Sequence, residues 1–264
     1  MGIVGRFFAG VVAHHILYYL LKNTIVPTIL SGDEGIALKT NKAVVAEIAK
    51  RLVSTIFGLV SISIGISVIA DTHHDILYAK SNLLEMWIPI LSWYFIYDIY
   101  AMCDVSYLKI KSKQLPLMNL VIKLFTMKSF FIIHHIFVFL LIPVVYSYTV
   151  KKGLGHMPFG CLCLTEISAP FVSFTYILNL LHKTSSTWYT VFGACAILSF
   201  IYRVSMLPSL YVYYGIQYGL GPVRVITTMM IKCHLFSITF TIIQIAWLLQ
   251  ILTVTVKHVK RTKD

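Results

Sequence analysis

Acidic side chains are scarce in this chain. Its 264 residues hold ten Asp and Glu against 22 Lys and Arg, and charged residues of both signs make up 12% of the total, about half the share of a soluble domain. With 58% hydrophobic residues, that scarcity excludes an ordinary water-soluble globule and points to a chain that lives in a bilayer. The formal net charge of +12 would suit nucleic acid, but the Lys and Arg sit in short clusters between apolar stretches. That pattern sets membrane topology and attracts anionic headgroups, and no nucleic-acid partner is expected.

Other absences narrow the chemistry. The five cysteines, Cys103, Cys161, Cys163, Cys195 and Cys233, fall inside apolar stretches without paired loop spacing, which leaves no disulfide framework or zinc-ribbon pattern. No P-loop, glycine-rich dinucleotide turn or HExxH motif occurs. Membrane di-iron oxidases need spaced histidine boxes, and no further histidine lies three or four residues from His134 or His135. Protein palmitoyl transferases need a cysteine directly after Asp-His-His, and here Asp75 follows His74. Neither a metal nor a resident cofactor is expected.

What is present is a set of apolar runs near 2–21, 52–70, 87–108, 129–150, 159–181, 188–214 and one ending near 256. Each reaches the roughly 20 residues that cross about 30 Å of hydrocarbon. The fold class expected is all-α, a polytopic membrane protein with about seven transmembrane helices. The first run reads as a span rather than a cleaved leader, since no small-residue cleavage site follows and Lys22 closes it. Arg6 stands where a myristoylation signal needs Ser or Thr. The organisation expected is a first helix and basic loop over 1–45, a six-helix domain over 46–256 and a basic tail over 257–264. Placing the 22–51 loop in the cytosol collects fifteen Lys and Arg on that side against five on the other, so the amino terminus is expected in the lumen and the carboxyl terminus in the cytosol. Between Pro116 and Lys128 the apolar residues Leu117, Leu120, Val121, Leu124 and Phe125 recur at helical spacing, which fits a short helix lying in the headgroup region, either as a ligand guide or as an inert linker.

The run over 130–146, FFIIHHIFVFLLIPVVY, carries the adjacent pair His134 and His135. Ionisable groups in hydrocarbon are costly, face a bundle interior and mark function by default. By helical rise the two histidines lie about 8 to 9 Å from the cytosolic end of their helix, with Asp104 and Asp98 about 6 and 15 Å deep in theirs. A cavity holding both imidazoles and one or two carboxylates is the expected site, and adjacent positions about 100° apart give the two rings different jobs. Glu166 and Arg203 lie deeper, each roughly 22 Å from the cytosolic end of its helix. They form either a structural ion pair or a site in which Glu166 serves the histidines. His73 and His74 in DTHHD read as a solvated turn, His14 and His15 as helix-contact or cavity-lining residues, and His234 as interfacial. Pro143, Pro170 and Pro208 lie within spans, where a missing amide donor bends a helix, to line a chamber or only to pack. A buried imidazole pair near acyl chains suits nucleophilic or general-base acyl transfer.

Four motifs in order, WYFIYDIYAM, IIHHIFVFLLIPVV, GCLCLTEISAPFVSFTYIL and YRVSMLPSLYVYYG, resemble the TLC domain (TRAM, Lag and CLN homology), in its small ceramide-synthase-like form, over about 46–252. The resemblance implies a helical barrel enclosing a lipid chamber in the endoplasmic reticulum or Golgi membrane. It also implies transfer of an acyl group from acyl-CoA, as co-substrate, to a sphingoid-base amine, with His134 as acyl acceptor or base and His135 as its partner. The family's downstream His-Asp-x-x-Asp is replaced here by Thr165, Glu166, Ile167, Ser168 and Ala169. Two other functions remain open: a non-catalytic TLC protein that binds membrane lipids and adjusts their composition or trafficking, and an O-acyltransferase acting on lysolipid.

Overall fold

A computed structural model describes residues 3–30, 38, 40–111, 117–148 and 150–261, the side chains of 3–4, 7, 111, 117–130, 145, 148 and 257–261 excepted. The described residues are mostly helical and contain no β-strand. The helices are α1 (Ile3–Leu20), α2 (Val26–Ile29), α3 (Lys42–Thr72), α4 (Asn82–Lys111), α5 (Leu117–Tyr148), α6 (His156–Leu164), α7 (Ser168–Leu180), α8 (Thr187–Tyr218), α9 (Pro222–Thr228) and α10 (Ile231–Arg261). A π-helical turn over Leu21–Ile25 joins α1 to α2 without a break.

Over nearly all of its described residues, each of the seven apolar runs lies on helix. The stretches Lys42–Thr72, His156–Leu180, Thr187–Tyr218 and Ile231–Val256 are long and apolar enough to cross a bilayer, and Phe131–Val144 is a shorter apolar stretch. The chain is a helical, polytopic membrane protein. Side chains such as Leu198, Val212, Ile216, Ile242 and Leu249 are exposed on these helices, an arrangement that only a lipid solvent makes favourable.

The short helix expected between Pro116 and Lys128 is not a separate element. Its backbone from Leu117 onward is the start of α5, which runs on to Tyr148, because no proline or glycine interrupts the chain there. The expected apolar face falls on side chains outside the described residues.

The chain divides into two compact units. The first comprises Met1–Phe57, Ser81–Leu154 and Leu180–His182, and the second Gly58–Lys80, Gly155–Asn179 and Lys183–Asp264. In the first, α1 packs along α4 and α4 along α5. In the second, α8 packs along α10, around a core of Ile76, Met157, Cys161, Met206, Leu207, Leu210, Tyr214 and Val225.

One expected span differs in detail. The run over 159–181 is broken by a 3₁₀ turn at Thr165–Ile167, and Pro170 sits in the first turn of α7 rather than in a helix interior. Pro170 has no amide hydrogen for the Glu166 carbonyl four residues back, so the α-pattern fails there. Gly58 lies against the break, where a Cβ would stand 3.1 Å from the Glu166 carbonyl oxygen. Pro143 and Pro208 are inside α5 and α8, and Pro89 inside α4. A second close approach sets α3 on α6: a Cβ on Gly65 would lie 2.7 Å from the Gly160 carbonyl oxygen, the small-residue contact by which membrane helices pack.

Candidate functional site

In the first unit α5 presents His135 to Asp98 of α4. His135 Nε2 stands 3.0 Å from Asp98 Oδ2, with both side chains about nine-tenths buried. The other ring nitrogen, Nδ1, lies 2.7 Å from the Phe131 carbonyl oxygen. A carbonyl only accepts, so Nδ1 carries a proton. A second proton must then lie between Nε2 and the carboxylate, giving an imidazolium beside an aspartate or a neutral imidazole beside a carboxylic acid. Either way His135 has no lone pair to offer. Phe95 packs edge-on against its ring at 5.5 Å, and the His134 ring stands perpendicular to it, also at 5.5 Å between centroids. The roughly 100° between adjacent helical positions thus gives the two imidazoles different surroundings.

Asp104 is not part of this arrangement. Its Oδ2 accepts from the Tyr18 hydroxyl at 2.6 Å and from Lys22 Nζ at 2.5 Å, and the Lys22 ammonium lies over the Tyr18 and Tyr19 rings. Asp104 faces α1 because it is six residues beyond Asp98, well under two full turns, which rotates it off the α5-facing side. Of the one or two carboxylates expected beside the histidines, Asp98 is there and Asp104 is not.

The same α1-facing side of α4 holds the earlier histidine pair. His14 Nδ1 donates to the Gly10 carbonyl at 2.6 Å and His15 Nδ1 to the Val11 carbonyl at 2.8 Å. The His14 ring stacks on Tyr97 at 5.6 Å and packs on Phe57 and Tyr94, while His15 lies against Tyr97 and Tyr100. These are helix-contact histidines, one of the two readings that their sequence left open.

A charged cluster not anticipated from sequence surrounds Glu47 of α3. The carboxylate is fully buried and meets Lys50 at 3.0 Å, Arg51 at 3.2 Å and Lys109 of α4 at 3.2 Å. Lys50 and Arg51 also act electrostatically on Asp98. The spacing of Glu47 to Lys50 and Arg51 was a legible signal, whereas Lys109 reaches it through the tertiary fold alone. Tyr94 of α4 donates to Ser54 of α3 at 2.9 Å.

Glu166 and Arg203 belong to the second unit. Arg203 is buried, donates through Nη1 to Ser168 Oγ at 2.5 Å, and lies over the rings of Phe200 and Trp247. Glu166 lies near enough to act on it electrostatically, without a salt bridge between the two. His73 and His74 are exposed in a turn anchored by Gln217, whose amide donates to both their carbonyls and accepts from the Ile76 N–H. His234 ties three helices: Nδ1 lies 2.9 Å from the Tyr211 hydroxyl and Nε2 2.9 Å from the Ile226 carbonyl. Among the described residues, no group of three or more His, Cys, Asp and Glu is placed to hold a metal.

A family model described as the TLC domain matches residues 47–253. The chain belongs to the TLC-domain family. The match takes in Asp98, both members of the α5 histidine pair, Glu166 and Arg203, and leaves α1 outside it. No solved structure matches the chain. Family membership carries a lipid-related function in a membrane.

Proposed function

We propose that this TLC protein is a ceramide-synthase-like lipid N-acyltransferase of the endoplasmic reticulum membrane, transferring an acyl chain from acyl-CoA to a sphingoid-base amine. The observation that carries this reading is the double engagement of His135, which leaves the reacting role to the neighbouring His134. A ring nitrogen of His134 attacks the thioester carbonyl. A carbon–nitrogen bond forms, the carbon–sulfur bond breaks, and the CoA thiolate leaves and takes up a proton. The amine of the long-chain base then attacks the acyl-imidazole, its carbon–nitrogen bond forms, and the imidazole leaves, taking the proton that the amine sheds. The His135–Asp98 pair fixes a polar, preorganised neighbour beside the charge that develops on the carbonyl oxygen.

Two other readings have support of their own. Glu166 stands with Arg203 where the family's acyltransferases have a longer acidic motif, which favours a non-catalytic lipid-binding protein that adjusts membrane composition or trafficking. The excess of positive charge where Lys50, Arg51 and Lys109 gather around the single carboxylate of Glu47 favours a phosphate-bearing acceptor, as in lysolipid O-acyl transfer. Purified protein incubated with labelled acyl-CoA and a panel of long-chain amines and lysolipids separates the three. Amide product that vanishes with His134→Ala supports the first, ester product the third, and no turnover at all the second.

A further inference from the structure

In the second unit α10 meets its neighbours along one side. Tyr211 of α8 bonds His234 and Ser237, Phe200 and Arg203 lie against the Trp247 ring, and Gln244 is fully buried. The other side is left uncovered: 6% of the apolar stretch of α10 is buried, against 33% or more in each of the other three. That uncovered side has a pattern. Leu235, Ile238, Ile242, Ile245, Leu249 and Leu252 follow one another at alternating spacings of three and four, and each is between 37% and 60% exposed. Ile231 and Val256 continue the pattern at either end, so eight successive a and d positions of a heptad repeat are aliphatic. Ser237, Gln244 and Trp247 fall at c and f, on the far side of the helix. Lipid alone asks for nothing so regular. Hydrocarbon accepts any apolar surface, and the exposed side of α8 is mixed, with Ser205, Pro208 and Ser209 preceding Val212 and Ile216. Beside the α10 pattern Thr239, Ala246 and Thr253 recur at intervals of seven, small enough to let a second backbone approach.

We propose that this face of α10 is a coiled-coil seam on which a second copy of the chain docks through its own α10. Copies inserted in one membrane share one topology, so their α10 helices run parallel and at the same depth. Each a residue then meets its counterpart in the partner copy, and each d residue likewise. The seam presents only aliphatic groups to itself, and no a or d position sets charge against charge. Its extent suits a stable pair. Eight side chains at about 100 Å² of apolar surface each cover about 800 Å² per copy, the usual share of one partner in a specific interface. Inside a bilayer the attraction comes from close packing rather than from leaving water, so branched side chains at knob-and-hole spacing matter more than apolarity. The seam involves neither His134 nor Asp98, and it stands whether or not the chain transfers acyl groups.

Donor- and acceptor-labelled copies of the full chain, reconstituted together in phosphatidylcholine vesicles and progressively diluted with lipid, test this by energy transfer. Transfer is expected to persist at dilutions where random proximity no longer produces it. Ile242→Trp combined with Ile245→Trp, which lipid accommodates and a packed seam does not, should raise the protein density needed for half-maximal transfer about tenfold or more. Val212→Trp, on the exposed side of α8, should leave it unchanged. Both seam positions face outward in a single copy, so the thermal midpoint of the diluted double variant should match that of wild type diluted alike, which separates loss of docking from loss of fold. Wild-type transfer that falls to the random level on dilution overturns the proposal and assigns the face to lipid or to another protein. Transfer that survives the paired substitutions overturns it as well, since another surface then holds the copies together.

Discussion

His135 is held at both ends, by Asp98 Oδ2 at 3.0 Å from Nε2 and by the Phe131 carbonyl at 2.7 Å from Nδ1. Removing either member leaves a buried charge or polar group uncompensated, which costs about 3 to 5 kcal/mol when a charge is orphaned. His135→Ala and Asp98→Ala are each expected to lower stability by roughly that amount. The double variant should lose clearly less than the sum of the two, because the second change removes the group the first one stranded. Unfolding of the four proteins in one detergent, read as a double-mutant cycle, measures the coupling, and additive losses would break the pair as described.

His134 is expected to carry the chemistry. His134→Ala should reduce acyl transfer to background, while Asp98→Asn, which keeps the shape and removes the charge, should reduce it by about 10²-fold, at the lower end of general acid–base contributions. Initial rates with labelled acyl-CoA check both. Equal rates for Asp98→Asn and wild type would take Asp98 out of the site.

The histidine pair and Asp98 are legible in the sequence because ionisable groups stand out against hydrocarbon, and helical rise alone brings their depths within reach of each other. The diversion of Asp104 to Lys22 and Tyr18 is not legible. It depends on α1 lying along α4, a contact between residues more than eighty positions apart. The break at Thr165–Ile167 lies between these cases: Pro170 announces a lost donor, but whether the helix kinks or restarts depends on Gly58 packing against the carbonyl it frees. Helix content and apolar runs are local properties and carried over; charge partners are not local, and of those expected at the histidine pair Asp98 is in place while Asp104 is not.

Glu47 offers a test of that missed cluster. It is buried among Lys50, Arg51 and Lys109, so Glu47→Ala is expected to destabilise the protein by about 3 to 5 kcal/mol. Lys109→Ala should cost under about 1 kcal/mol, since that side chain is 43% exposed and its attraction is screened. Chemical unfolding of both variants ranks them, and the reverse order would contradict the burial described.

The approach of Gly65 to the Gly160 carbonyl admits no side chain. Gly65→Ala places a methyl group 2.7 Å from that oxygen, and separating α3 from α6 to admit it should cost about 1 to 3 kcal/mol. Gly193, with nothing within 4 Å of a Cβ, is the matched control and should tolerate alanine, gaining slightly in helix propensity. Thermal midpoints of the two variants decide it.

Asp75 in the turn after α3 gives a dependence on pH. The Tyr78 amide first, with the Tyr218 hydroxyl and the Leu77 amide, holds its carboxyl below the ordinary carboxylate value. A group whose pKa is lowered by folding stabilises the protein above the unfolded value, about 4, and loses that contribution as pH falls through the lower folded value. Wild type should therefore lose stability relative to Asp75→Asn on acidification below about pH 4. Parallel curves for the two proteins over that range would remove Asp75 from the account.

The π-helical turn at Leu21–Ile25 holds one residue more than an ordinary helix would need for the same stretch. Deleting a single residue there would restore a regular helix and swing everything beyond it by about 100°. Tyr18 would keep its place on Asp104, but Val26 and Leu30, now almost wholly covered, would be turned outward. The length of this first helix is thus tuned to one residue, and the surplus acts as a phase-setting spacer between the aromatic face of α1 and the apolar contacts that follow.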